Sequence, residues 1–119
     1  MATVFIADDS PVARHRLCRA LRAGGVYVIE ASSTGEALRI DANAIDAAIL
    51  DLDLGDGDGV TLAEWLRAKR SELPLAFYSS ETEGPLFLRA KAMATIFPKE
   101  QCDEAAAWAI TASKKLSRA

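Results

Sequence analysis

Apolar and polar positions along this chain fall into two alternating rhythms. Apolar or β-branched runs recur five times, at Thr3–Ala7, residues 26–31 (interrupted by Glu30), Ala47–Leu50, residues 75–78 and a very short run at 95–97. Runs this apolar suit strands of a parallel sheet, which helices cover on both faces. Between them the spacing widens to helical offsets. After Thr3–Ala7, Ser10 is placed to cap a helix and Pro11 occupies its first position, where a missing N–H costs nothing. That helix lines up Ala13, Leu17, Ala20 and Leu21 on one stripe and ends at Gly24-Gly25. A short helix over 34–41 follows the Ser-Ser-Thr cluster. Residues 52–59, rich in glycine and aspartate, form a loop. Helical spacing resumes over 60–70 through Leu62, Ala63 and Leu66 until Pro74 bars it. Gly84-Pro85 opens another helix through about residue 92, and residues 103–116 form the last. Strand and helix thus alternate five times, which predicts an α/β fold: a doubly wound, five-stranded parallel sheet with helices on both faces.

Length and composition narrow the picture. The chain has 119 residues, half of them hydrophobic and 26% charged, which fits a single globular domain over 1–119. Its longest apolar stretches, such as residues 105–110, fall far short of the roughly 20 needed to span a bilayer. The first residues reach Asp8 and Asp9 without the basic start and cleavage site of a secretory signal, so a cytoplasmic location is expected. Cys18 and Cys102 have no metal-ligand spacing and are expected as free thiols. A formal charge of −3 argues against direct nucleic-acid binding. Charge is nonetheless segregated, with Arg14, His15, Arg16, Arg19 and Arg22 in one segment and Asp51, Asp53, Asp56 and Asp58 in another.

In a parallel α/β sheet the functional crevice lies at the carboxyl ends of the strands. The first strand ends in Asp8 and Asp9, the third in Asp51, the fourth in Ser79, and the fifth just before Lys99. Carboxylates packed together repel one another unless a cation enters or some take up protons. Oxygen ligands alone, without histidine or cysteine, favour Mg²⁺ over zinc. Asp51 would then attack a phosphoryl group to give an acyl phosphate, with Ser79 and Lys99 holding the remaining oxygens.

These residues and their spacing resemble the receiver domain of bacterial two-component response regulators over the whole chain. Asp8 and Asp9 in Ile-Ala-Asp-Asp-Ser match that family's acidic pair. Asp51 in Ala-Ile-Leu-Asp-Leu-Asp-Leu matches its phosphoacceptor, Ser79 its hydroxyl and Lys99 its lysine. The resemblance implies that Asp9 and Asp51 contact Mg²⁺ directly, Asp8 chiefly through water, and Asp53 through its backbone carbonyl. It also implies a histidine kinase or phosphotransfer protein as phosphodonor, docking near the first helix. The recipient of the signal would be a downstream protein, an output domain or a second copy of the chain. The signal would pass through the fourth helix, fifth strand and fifth helix.

Several positions depart from the family pattern. Gly55 stands where proline is usual, which should loosen the loop. Ser80 occupies a position beside the phosphate that is normally a small residue, a mild change. Proline precedes Lys99 instead of following it, so the fifth strand is expected to end differently. Ile96 takes the place of an aromatic that turns on activation, while the adjacent Phe97 would face the opposite side of the strand. The span from Ser79 to Lys99 suggests a trimmed fourth helix.

Other readings stand beside this one. The Asp53, Asp56 and Asp58 series suggests a calcium loop but lacks the acid at its fifth position and the closing glutamate. His15 and the neighbouring arginines read as a solvated face, and Trp65 and Trp108 as core or half-buried residues, with a partner-facing role the alternative for Trp108. Ile-Leu-Asp-Leu-Asp-Leu also resembles the nucleophile motif of haloacid-dehalogenase-like phosphatases, although only sixty-eight residues follow Asp51. A receiver-like interaction module with an idle site is the remaining alternative.

Overall fold

The computed structural model describes residues 1–118. The five apolar runs form strands β1 (Thr3–Ala7), β2 (Tyr27–Ala31), β3 (Ala47–Leu50), β4 (Leu75–Ser79) and β5 (Ile96–Pro98). They pair in parallel in the order β2-β1-β3-β4-β5. The helices are α1 (Pro11–Ala23), α2 (Thr34–Ala37), α3 (Gly59–Lys69), α4 (Pro85–Met93) and α5 (Cys102–Ser117). Because successive strand residues face opposite ways, the sheet divides two cores between its faces. Val4, Ile6 and Ile49 pack with Leu17, Leu21, Ala105 and Ala109 on the side of α1 and α5. Phe5, Ala48, Leu50 and Phe77 pack with Leu62, Leu66 and Ala90 on the side of α3 and α4.

Local chemistry sets the element ends. Ser10 accepts from the Ala13 N–H at 3.3 Å to cap α1, ahead of Pro11 as expected. Asp58 caps α3 through Thr61 N at 2.7 Å, so α3 begins at Gly59, within the stretch expected as loop. The helix expected over 34–41 is shorter. Leu38 closes α2, and the Asp41 carboxylate accepts from Asn43 N at 2.9 Å to start a separate 3₁₀ turn over Ala42–Ala44. An aspartate that captures a nearby backbone N–H competes with a continuing helix. The fifth strand is also displaced by one residue and ends on Pro98, which a strand at the sheet edge tolerates.

The strand order reverses at β1, which is flanked by β2 and β3, and opens a crevice beyond the carboxyl ends of β1 and β3. Ala7 pairs with Leu50, so Asp8 and Asp51 leave the sheet side by side. Ser79 pairs with Pro98, so Lys99 emerges at the same edge.

Candidate functional site

Asp8 and Asp51 are almost fully buried, at 1% and 7% exposure, whereas Asp9 lies open to solvent. Each of the three offers a carboxylate oxygen within 4.8 Å of the others. Lys99 reaches into this cluster: its Nζ lies 3.0 Å from Asp8 Oδ2 and 3.2 Å from Asp51 Oδ2. The order Pro98-Lys99 therefore delivers the ammonium to both buried acids. One cation among three carboxylates leaves a deficit of positive charge. Burial, followed by the nearby Asp8 carboxylate, pushes the Asp51 carboxyl up to about 7 against the opposing pull of Lys99. Burial alone would lower the Lys99 ammonium, but the Asp51 and Asp8 carboxylates outweigh it and hold the group above its ordinary value.

Asp8 shows the deficit most directly. Its Oδ1 accepts from Ser10 N at 2.9 Å and from Lys99 at 3.2 Å. The same ammonium also faces the buried Oδ2, at 3.0 Å, so one Lys99 serves both oxygens of Asp8 as well as Asp51. Three carboxylates gathered around a single ammonium, with no nitrogen or sulfur donor in the set, fit a hard divalent cation such as Mg²⁺.

A cavity of about 240 Å³ opens over the cluster, lined by Asp9, Asp51, Asp53, Ser79, Ser80, Glu81 and Lys99. All six residues singled out in the sequence therefore meet here, five lining the cavity and Asp8 beneath it. Ser79 is buried at the end of β4, and its hydroxyl accepts from Glu81 N at 3.0 Å. Asp53 belongs to the loop after β3, where its carboxylate accepts from Gly55 N at 2.9 Å. Gly55 takes φ +80°, in the left-handed region that favours glycine. At Gly59 a Cβ would stand 2.0 Å from the Asp51 carbonyl oxygen, so the start of α3 can lie against the Asp51 backbone only as glycine.

Three supporting residues were not found by sequence reasoning. Arg14 donates to the Asp8 carbonyl at 2.8 Å while pairing with Glu30 at 3.1 Å; the sequence marked it only as part of a basic face. The Tyr78 hydroxyl donates to the Lys99 carbonyl at 2.9 Å, and its ring lies 5.8 Å from Nζ. Its place beside Ser79 was legible, but the reach of its hydroxyl across to the segment after β5 was not. The Asp56 carboxylate accepts from Thr34 N at 2.8 Å and Gly35 N at 3.0 Å. The acidic series drew attention to Asp56 without revealing this tie to α2.

The remaining singled-out residues lie elsewhere. His15 is exposed on α1. Cys18 and Cys102 are buried free thiols, and burial, then Glu30, pushes the Cys18 thiol up to about 12. Ile96 packs on the α4 side of the sheet and Phe97 on the other, its ring centroid 6.1 Å from that of half-buried Trp108. The two faces expected for residues 96 and 97 are thus observed.

A doubly wound sheet with acids at the ends of β1 and β3 and a lysine after β5 defines a class of small α/β signalling domains. Residues 4–107 match the response regulator receiver domain, and the chain belongs to that family. It is 34% identical over 93 residues to the DNA-binding transcriptional activator DevR/DosR of Mycobacterium tuberculosis, a match covering 76% of this chain and 43% of that protein. The chain thus spans less than half the length of this curated relative. Its fold superposes on a two-component response regulator from Clostridium difficile with a TM-score of 0.83 at 22% identity, covering all of both chains. A response regulator from Burkholderia pseudomallei, solved with a phosphorylated aspartic acid, calcium ion and citrate, gives a TM-score of 0.79 at 23% identity, over 99% of this chain and 72% of that one. Membership of this family sets aside the phosphatase reading of the Asp51 motif.

Proposed function

We propose that Asp51 is the phosphoacceptor of this receiver domain and that Mg²⁺ is held by Asp8, Asp9, Asp51 and the backbone carbonyl of Asp53. The observation that supports this most strongly is the meeting of Lys99 with Asp8 and Asp51 at 3.0 and 3.2 Å, at a cavity of about 240 Å³ with room for a phosphoryl group. When bound, the metal supplies the positive charge that the carboxylates lack. Asp51, relieved of its neighbours' repulsion, presents an ionised oxygen to the phosphorus of a phosphohistidine. The new O–P bond forms as the P–N bond breaks, and the imidazole leaves with the bonding pair and takes up a proton from solvent. Lys99 and the Ser79 hydroxyl then hold phosphoryl oxygens. The phosphodonor is a histidine kinase or phosphotransfer protein, and the chain catalyses no turnover beyond its own phosphotransfer and dephosphorylation.

We read the chain as one domain that works in the cytoplasm; among the described residues no helix is long and apolar enough to cross a membrane. The signal leaves through α4, β5 and α5. A groove of about 480 Å³ between α4 and β5, lined by Phe87, Lys91 and Ile96, runs up to Ser79 and links that surface to the site. The recipient is a downstream protein, an output domain or a second copy of the chain.

Intact mass after incubation with acetyl phosphate and Mg²⁺ tests the proposal. A single phosphate adduct on the wild type, absent from Asp51→Asn, is expected. An unmodified wild type would leave an interaction module with an idle site, and an adduct that survives in Asp51→Asn would place the acceptor elsewhere.

A further inference from the structure

The loop between β3 and α3 is closed on itself by short-range bonds. Leu54 N donates to Gly57 O at 3.0 Å and Asp56 N to Leu54 O at 2.9 Å, and Asp53 bridges to Asp58 across the base. These bonds shape the loop, and buried Leu52 and Leu54 seat its first half in the α3-side core, leaving residues 55–57 beyond that anchor. Gly55 at φ +80° adds a point of backbone freedom immediately beyond Leu54. The polar connection outward runs through Asp56. Its two oxygens separately accept from the consecutive N–H groups of Thr34 and Gly35, at 2.8 and 3.0 Å. Those donors hold the Asp56 carboxyl below the ordinary carboxylate range. Beside this contact Gly57 packs so closely on Thr34 that a Cβ would meet its hydroxyl oxygen at 2.5 Å.

We infer that Asp56 is a positioning residue for the metal site: by clasping the start of α2 it steadies the loop that carries the Asp53 carbonyl beside Asp9 and Asp51. This rests on the proposed role of that carbonyl as a metal ligand. The clasp acts through populations. A loop that presents its carbonyl in a fraction of its conformers binds with an affinity lowered by that fraction. Asp56 does not line the cavity over Asp51, so its removal weakens ion capture and leaves Asp51 in place.

Calorimetric titration of the full chain with Mg²⁺, at about 0.15 M salt to screen distant charge, tests the clasp from both sides. Asp56→Ala removes the acceptor, and Gly57→Ala wedges the same contact apart without changing charge. Both should raise the Mg²⁺ dissociation constant by about three- to tenfold, while Glu64→Gln, which deletes a surface charge on α3, leaves it at the wild-type value. Wild-type affinity in Gly57→Ala would show that Asp56 acts only through its charge and would overturn the clasp. A wild type that takes up no Mg²⁺ would overturn the reading of the site itself. Backbone amide resonances of unmutated protein supply a check that needs no variant: those of Thr34 and Gly35 should move on Mg²⁺ addition. Their indifference to the ion would equally overturn the clasp.

Discussion

The Tyr78 hydroxyl, from β4, donates to the carbonyl of Lys99 at 2.9 Å, so a residue of the α5-side core governs where the site's ammonium can reach. Lys99 follows the last residue of a three-residue edge strand, and such a short strand fixes its successor weakly. Tyr78→Phe should therefore cost about 1 kcal/mol of stability, read from urea unfolding. It should also slow phosphorylation by acetyl phosphate by more than that stability change explains. A phosphorylation rate equal to wild type would confine Tyr78 to the core.

The raised Asp51 carboxyl predicts a pH dependence with a definite sign. Unfolded, the group releases its proton near 3.8; folded, near 7. Between those values the folded state binds the extra proton, so stability falls as pH rises and the loss is complete above about 7. Metal-free wild type should thus lose stability relative to Asp51→Asn between pH 5 and pH 8, and Mg²⁺ should restore it at pH 8. Parallel urea midpoints for the two proteins would refute this.

Gly59→Ala is expected to be severe. Its methyl would stand 2.0 Å from the Asp51 carbonyl oxygen, a backbone atom that cannot swing aside. The strain should cost more than about 2 kcal/mol and displace the acceptor with the start of α3. Thermal unfolding and phosphate incorporation together measure it, and a variant matching wild type in both would show that α3 shifts without cost.

Asp53 and Glu81 flank the cavity over Asp51 with negative charge. That charge should oppose the approach of water's oxygen to the phosphorus. Neutralising both, as Asp53→Asn with Glu81→Gln, should shorten the life of the acyl phosphate by about two- to fivefold. Phosphate release after removal of the phosphodonor gives the rate, and an unchanged or longer lifetime would discard the effect.

How far the sequence reveals this site depends on how each residue is held. Asp8 and Asp51 follow strands that are apolar but for Thr3, so their place at the sheet edge is written in the hydrophobic pattern itself. Their adjacency needs only the parallel register of β1 and β3. Opposite faces for Ile96 and Phe97 follow equally from strand geometry. The position of Lys99 after the fifth strand was legible too, but its anchor was not, because that is a tyrosine hydroxyl bonding across 21 positions of sequence. Asp56 was hidden for a similar reason: its partners lie 22 and 21 positions away, at the start of a helix whose length the local pattern overstates. Arg14 was visible as charge, but its bond to the Asp8 carbonyl depends on how α1 packs beside β1.

The backbone at Gly55 carries a lesson for anyone stabilising this domain by borrowing residues from its relatives. Proline is their common choice at this position, and replacing glycine with proline ordinarily stiffens a loop to advantage. Here the ring would lock φ near −65°, opposite in sign to the +80° that the loop adopts. The family-average substitution would force residues 54–57 to be rebuilt and pull Asp56 off its donors, so engineering toward the relatives would stiffen the chain in the wrong shape.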